Sequence, residues 1–300
     1  MFRQFDNRWG HYLLLLVATT ALFLPNLGGP SLWDIDEGNN AEAAREMLAS
    51  GNWIVPTFNY QLRVDKPALL YWCQIGAYRA FGVGEFAARL PSALAAMIAV
   101  LLTYELGRSM FGPASGLLAG IILASAGLFC AVAHFANPDM LLNASTVLSF
   151  FVFWRSFVSG SRSWFGWIGV STGLGFLAKG PVALVLPVAV ILLFLLWARQ
   201  LRRLLDSRLL VGGVLFAVVA LPWYALVGAE TRGEFLRGFF LQHNQQRFLA
   251  PMEGHYGPIY YHVISLLIGF VPWSAFLAPT LYYAIRHTTH HSPLTTCPSP

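Results

Sequence analysis

Asp34, Asp36 and Glu37 crowd together in the run Trp33-Asp34-Ile35-Asp36-Glu37. Carboxylates this close repel one another, and a metal, a basic partner or a raised pKa on one of them relieves the repulsion; each arrangement suits acid/base work. The same acids also suit the cap and first turn of a helix, and spacing alone leaves both readings open. A second candidate is Asp65-Lys66-Pro67, a charged pair directly before an aromatic, half-apolar stretch. A lysine at headgroup depth can hold a lipid phosphate, with ordinary snorkelling as the alternative. Asp139 and Lys179 are lone charges at the ends of apolar runs, where ionisable groups are costly and usually serve a purpose. They can pair with each other, and Asp139 can also cap the helix it opens. The stretch 242–248 sets His243 and Arg247 one helical turn apart. Together with Asp65 they have the chemistry to hold a divalent ion or a diester phosphate, against the alternative of a plain surface helix.

These residues need elements to carry them, and composition says what solvent those elements meet. Of the 300 residues, 56% are hydrophobic and only 11% are charged, against roughly 25% charged in an average soluble domain. The apolar residues fall in runs of about 15 to 25, long enough to cross a hydrocarbon core. They lie at 12–27, 90–106, 114–133, 140–158, 164–178, 181–197, 209–227 and 260–284. The expected fold is an all-α polytopic membrane protein with about eight transmembrane helices. The net charge of +5 is scattered between apolar runs, which argues against nucleic acid. Cys73, Cys130 and Cys297 show neither metal spacing nor a disulfide framework and read as packing residues.

Basic residues in short loops mark the cytoplasmic side. Arg3, Arg8, Arg108, Arg155, Arg162, Arg199, Arg202, Arg203, Arg208 and Arg286 alternate with loops that hold nearly all the acids. The N-terminus is therefore expected inside, and the long loop 28–89 outside. Within that loop, 39–49 and 67–80 read as helices lying on the membrane surface, Glu42, Arg45 and Glu46 being at pairing distance in the first. A domain over 1–286 and a disordered polar tail over 287–300 complete the organisation; His287, His290 and His291 in that tail read as an incidental cluster.

The pattern resembles a known family. Trp33-Asp34-Ile35-Asp36-Glu37 is followed by Ala41-Glu42-Ala43-Ala44-Arg45-Glu46-Met47, Gly51-Asn52-Trp53-Ile54-Val55-Pro56 and Asp65-Lys66-Pro67-Ala68-Leu69-Leu70-Tyr71-Trp72. Then come Glu85-Phe86-Ala87-Ala88-Arg89-Leu90-Pro91, Pro138-Asp139-Met140, Ala178-Lys179-Gly180-Pro181, Leu221-Pro222-Trp223-Tyr224 and Arg247-Phe248. In order and spacing these resemble the GT-C membrane glycosyltransferases, in the bacterial branch of the lipid A aminoarabinose transferase and its protein O-mannosyltransferase relatives. The resemblance implies a GT-C-like N-terminal helical bundle, a catalytic acid at Asp36 and a second acid, Asp139, facing the same cavity. Asp65 stands where the family usually has glutamate, which shortens its reach by one methylene, and His243 sits near a family histidine. Family members are longer, so the resemblance implies a chain truncated relative to them.

The implied chemistry is inverting displacement at the anomeric carbon of a polyprenyl-phosphate-linked sugar, at the outer face of a bacterial inner membrane. The acceptor is a hydroxyl of lipid A, another glycan or a protein. Asp36 is the expected general base. Lys66, Lys179 and Arg247 are expected to face the departing phosphate, with Glu37 and Arg45 as loop and acceptor support. A divalent cation shared by Asp65, His243 and the donor phosphate is a further expectation. From other classes, a lipid-linked-sugar flippase and a non-catalytic family member compete with this reading. No internal repeat or pair of broken mid-membrane helices is visible in the sequence to support a transporter.

Overall fold

The computed structural model describes residues 7–159, 165–205, 207–241 and 260–288. The first apolar run forms α1 (Arg8–Phe23), capped by the Asn7 side chain, which accepts from the Gly10 amide. Residues 28–89, expected as the long outward loop, then build α2 (Ile35–Ser50), a hairpin of β1 (Thr57–Phe58) with β2 (Gln61–Leu62), and α3 (Leu69–Phe81). The hairpin is antiparallel, with Thr57 opposite Leu62. Asp34 caps α2 by accepting from the Asp36 amide, and Gly51, at φ 71°, ends it in the left-handed conformation that glycine adopts without strain.

α4 (Glu85–Phe111) has 27 residues, about 40 Å of helix at 1.5 Å per residue, long enough to cross a bilayer. It connects the layer of α2 and α3 to the opposite end, where Arg8, Tyr12 and Arg108 converge on Glu105. α5 (Pro113–Ser125) returns against α4. At Gly116 an added Cβ would lie 2.5 Å from the Tyr104 carbonyl oxygen, so only glycine permits this approach. The run expected at 114–133 is not one straight helix: Ala126 is extended, and α6 (Gly127–Ala133) leaves at 65° to α5. α7 (Asp139–Ser159), α8 (Phe165–Lys179), α9 (Val182–Trp197) and α10 (Arg208–Glu230) form a second packed group, followed by the short α11 (Glu234–Arg237). α8 and α10 meet at Gly169 and Gly212, where a Cβ on Gly169 would fall 1.8 Å from the Gly212 oxygen. The last expected run, 260–284, divides into helices Tyr261–Gly269 and Leu277–Thr288, and the chain bends by 111° between them.

Among the described residues three helices, α4, α7 and α10, are long and apolar enough to cross a membrane, or five if each bent pair counts as one span. The exposed leucines and valines of α1, α9 and α10 are what a lipid-facing surface requires. Alanine-rich cores are buried instead where α2, α3 and α4 meet, around Ala43, Ala44, Met47, Ile75 and Ala88. In a further cluster Trp223, Tyr224 and Phe235 pack with Ala68 and Leu177 and tie the second group to the start of α3. The helix Leu277–Thr288 runs two residues beyond the expected domain end at 286; the remaining tail expected as disordered lies outside the described residues.

Candidate active site

The first turn of α2 holds the central acids. Asp34 is spent on the cap, its Oδ1 2.7 Å from the Asp36 amide. Glu37 points inward, 1% exposed, and takes a two-pronged bond from Arg89 at the start of α4, Nε to Oε1 at 2.9 Å and NH2 to Oε2 at 3.0 Å. Glu37 also accepts from the Ala136 amide at 2.8 Å, while Arg89 donates to the carbonyls of Leu27, Pro30 and Ser31. One buried ion pair thus joins the exit of α1, the start of α2, the start of α4 and the α6–α7 loop. Every donor nitrogen of the guanidinium is used, which is the condition under which burying such a pair is tolerable.

Asp36, one position earlier, faces the other way. Its side chain is 61% exposed and its Oδ2 lies 3.7 Å from Nζ of Lys66, which is 14% exposed. Lys66 follows the hairpin, whose placement is secured from α2: Glu46 accepts from the Thr57 hydroxyl at 2.5 Å and from the Tyr60 amide at 3.2 Å. Beside Lys66, the Arg63 guanidinium lies 3.6 Å from Asp65 Oδ2 and donates to Asn40 Oδ1 at 3.0 Å. Asn40 in turn donates to the Ala136 carbonyl at 3.0 Å. Beneath them the Tyr71 hydroxyl is fully buried, and burial pushes its pKa up to about 12.

Asp139 opens α7, its amide accepted by Asn137 Oδ1 at 3.1 Å, and its carboxylate accepts from Nζ of Lys179 at the end of α8. Both side chains are about one-third exposed, at 37% and 35%. Arg45 lies farther along α2 and donates to Glu42 at 2.8 and 2.7 Å, away from the first turn. Asp36, Glu37, Asp65, Lys66, Asp139 and Lys179 are therefore brought to one end of the bundle, where the structure forms the Asp139–Lys179 pair that the sequence offered as one option and an Asp36–Lys66 pair that it did not. His243 and Arg247 lie outside the described residues.

Of the two residues expected at a metal, Asp65 lies among the described residues and His243 does not. Arg63 already stands beside that carboxylate, and among the described residues no three His, Cys, Asp or Glu side chains group to hold an ion. Next to the site, a cavity of roughly 530 Å³ is lined by Asn26, Trp33, Arg89, Cys130, His134 and Phe135. Sequence reasoning missed Arg63, Asn40 and Arg89 as partners. Arg89 carries a signal that could have found it: like Lys179, it is a lone charge at the end of an apolar run. Asn40 carries none, since an asparagine in an exposed-looking helix has no distinguishing pattern.

Residues 65–225, more than half of the chain, match the family described as dolichyl-phosphate-mannose-protein mannosyltransferase. A relative from Pseudomonas paraeruginosa, an undecaprenyl phosphate-alpha-4-amino-4-deoxy-L-arabinose arabinosyl transferase, is 33% identical over 96% of this chain and 53% of its own length. The protein of the same name from Edwardsiella ictaluri is 32% identical over 90% of this chain and 50% of its own. Among solved structures, ArnT from Cupriavidus metallidurans bound to undecaprenyl phosphate superposes with a TM-score of 0.84 at 28% identity, covering 94% of this chain and 52% of that one. The Archaeoglobus fulgidus oligosaccharyltransferase, at 16% identity and a TM-score of 0.56, covers 95% of this chain and 40% of that one and shares the fold alone. The chain thus spans about half the length of the curated relatives it matches. On the match over 65–225, the chain belongs to the dolichyl-phosphate-mannose-protein mannosyltransferase family.

Proposed function

We propose that the chain transfers a sugar from a polyprenyl-phosphate donor to a hydroxyl of a lipid, glycan or protein acceptor, with inversion. The single observation that carries this reading is the open Asp36–Lys66 pair, 3.7 Å apart, standing on a scaffold locked by the buried Glu37–Arg89 bond. A carboxylate accessible to an acceptor, beside a cation suited to a lipid phosphate, is the pairing that such a displacement needs. The donor class is supported by the relatives, named for undecaprenyl phosphate-aminoarabinose, and by the solved ArnT bound to undecaprenyl phosphate.

In the reaction the acceptor oxygen forms a bond to the anomeric carbon as the bond from that carbon to the phosphate oxygen breaks. The acceptor proton passes to Asp36, and the electron pair leaves with the polyprenyl phosphate, which gains negative charge. Lys66 is placed to meet that charge. Lys179 shares its charge with Asp139, so its contribution is weaker, and Arg247 is the third cation of the proposal. The protein is read as lying in a bacterial inner membrane with its N-terminus inside, about eight passes, and α2 and α3 on the outer surface beside the site.

Transfer from radiolabelled polyprenyl-phosphate sugars, measured in membranes expressing this chain, tests the reading. Asp36→Asn should lower transfer by about 10²–10⁴-fold, the range of a lost general base, with the protein still folded. Undiminished transfer in Asp36→Asn overturns the base assignment. Flux of a labelled lipid-linked sugar across vesicles without transfer would identify a carrier, and neither flux nor transfer in folded protein a non-catalytic member.

A further inference from the structure

Arg63 is only 5% exposed, a depth at which an arginine is held only by defined partners. Its backbone amide is accepted by the Pro56 carbonyl at 3.0 Å, closing the base of the hairpin. Its NH2 lies 3.0 Å from Asn40 Oδ1 and 3.6 Å from Asp65 Oδ2. Asn40 stands one helical turn beyond Asp36 on α2, Asp65 is the immediate neighbour of Lys66, and Asn40 also binds the Ala136 carbonyl in the loop that leads to Asp139. The guanidinium therefore joins the segments that carry Asp36 and Lys66, and Asn40 extends the link to the loop that leads to Asp139. The charges of Arg63, Asp65 and Asp36 all act on the buried Tyr71 hydroxyl below them.

We propose that Arg63 is a positioning residue for the transfer reaction: a built-in cation that holds the Asp36-bearing helix, the Lys66-bearing strand exit and the Asp139-bearing loop in one register. The inference rests on the proposed transferase reading. It assigns to an arginine the work of setting the distance between base and phosphate-binding lysine, a distance to which displacement rates are steeply sensitive. The planar fork suits the task, because one flat group reaches both a neutral amide oxygen and a carboxylate.

The test uses the full chain in membranes, with transfer resolved into kcat and donor KM, and a thermal midpoint as the check on folding. Arg63→Gln should lower kcat at least tenfold while donor KM changes less. Arg63→Lys keeps the charge but not the fork, and should recover part of that loss while kcat stays several-fold below wild type. Combining Arg63→Gln with Asp65→Asn should cost less than the product of the two single losses, since both break one network. Losses that multiply, with kcat and donor KM moved alike, would reduce Arg63 to a merely structural residue and overturn the inference. Should Arg63→Gln fail to fold, wild-type kcat in Arg63→Lys overturns it instead. Transfer that is present and unaffected by Arg63 sinks this inference alone, whereas a wild-type chain without transfer sinks the transferase reading and the inference with it.

Discussion

Asp36 and Glu37 are neighbours in sequence with the same chemistry and opposite surroundings. One is 61% exposed with a lysine 3.7 Å away; the other is 1% exposed, gripped by Arg89 at 2.9 Å and by a backbone amide. The step of a helix, about 100° per residue, is what separates them: in the first turn of α2 one carboxylate turns to the open mouth and the next to the packed seam between α2 and α4. The difference teaches where to assign roles in a crowded acidic motif. A carboxylate whose lone pairs are already occupied by a fork and an amide has little left for a substrate, whereas one loosely paired at the surface can gain a proton without breaking the fold.

The largest effect expected from breaking this contrast is on stability. Arg89→Leu strands Glu37 in a buried site and leaves three carbonyls without their donor, a loss of about 3–5 kcal/mol. Asp36→Asn should change stability by about 0.5 kcal/mol or less, as for an exposed surface position. Denaturant or thermal unfolding in detergent compares the two. The contrast sharpens further if Glu37→Leu is combined with Arg89→Leu, because removing both charges costs less than removing one. A double variant as unstable as Arg89→Leu alone would show that the carbonyl contacts, rather than the ion pair, hold the loop.

Asp139 and Lys179 stand between the two extremes, each about one-third exposed and bonded to the other. Lys179→Met should lower transfer by about tenfold if the lysine faces the departing phosphate, in the range of one charge-assisted contact of ~1.4 kcal/mol. Adding Asp139→Asn separates the roles. Recovery of transfer in the double variant means that Lys179 serves only to neutralise Asp139, and a transfer rate that stays low means that its charge reaches the donor.

The sequence carried the membrane class, the runs that become α1, α4, α7 and α10, and the motif acids, because lipid selects apolar length and buried charge is rare enough to notice. It also carried the Asp139–Lys179 pairing as one of two options. Three things were out of its reach. The 65° break at Ala126 and the 111° bend after Gly269 are invisible in hydropathy, which counts apolar residues whatever their direction. The Glu37–Arg89 pair spans 52 positions, and nothing local in either residue names the other. Asn40 and Arg63 matter only because a two-residue hairpin, held down by Glu46, folds Asp65 back over α2. A turn of that kind is decided by tertiary contacts rather than by its own residues.

In the middle of α2, Glu42 and Arg45 form the weakest version of the contrast. Arg45 donates two hydrogen bonds to Glu42, and these hold the carboxyl below its ordinary 4.5 despite partial burial, which acts the other way. A group with a depressed folded-state pKa contributes stability that is fully present above its unfolded value and is lost as pH falls through the folded one. The pair is about one-third exposed, with Glu N-terminal to Arg in the favoured orientation, so its contribution is about 0.5 kcal/mol or less. Arg45→Ala should therefore lower stability slightly at pH 7, and the difference from wild type should vanish as the pH is taken well below 4.5. Added salt should shrink the same difference at neutral pH, since an exposed pair is screened while Glu37–Arg89, sealed from solvent, is not. A salt-insensitive loss in Arg45→Ala would mean that this arginine works through packing or through the loop above it, which would bring Arg45 closer to the supporting role its motif suggests.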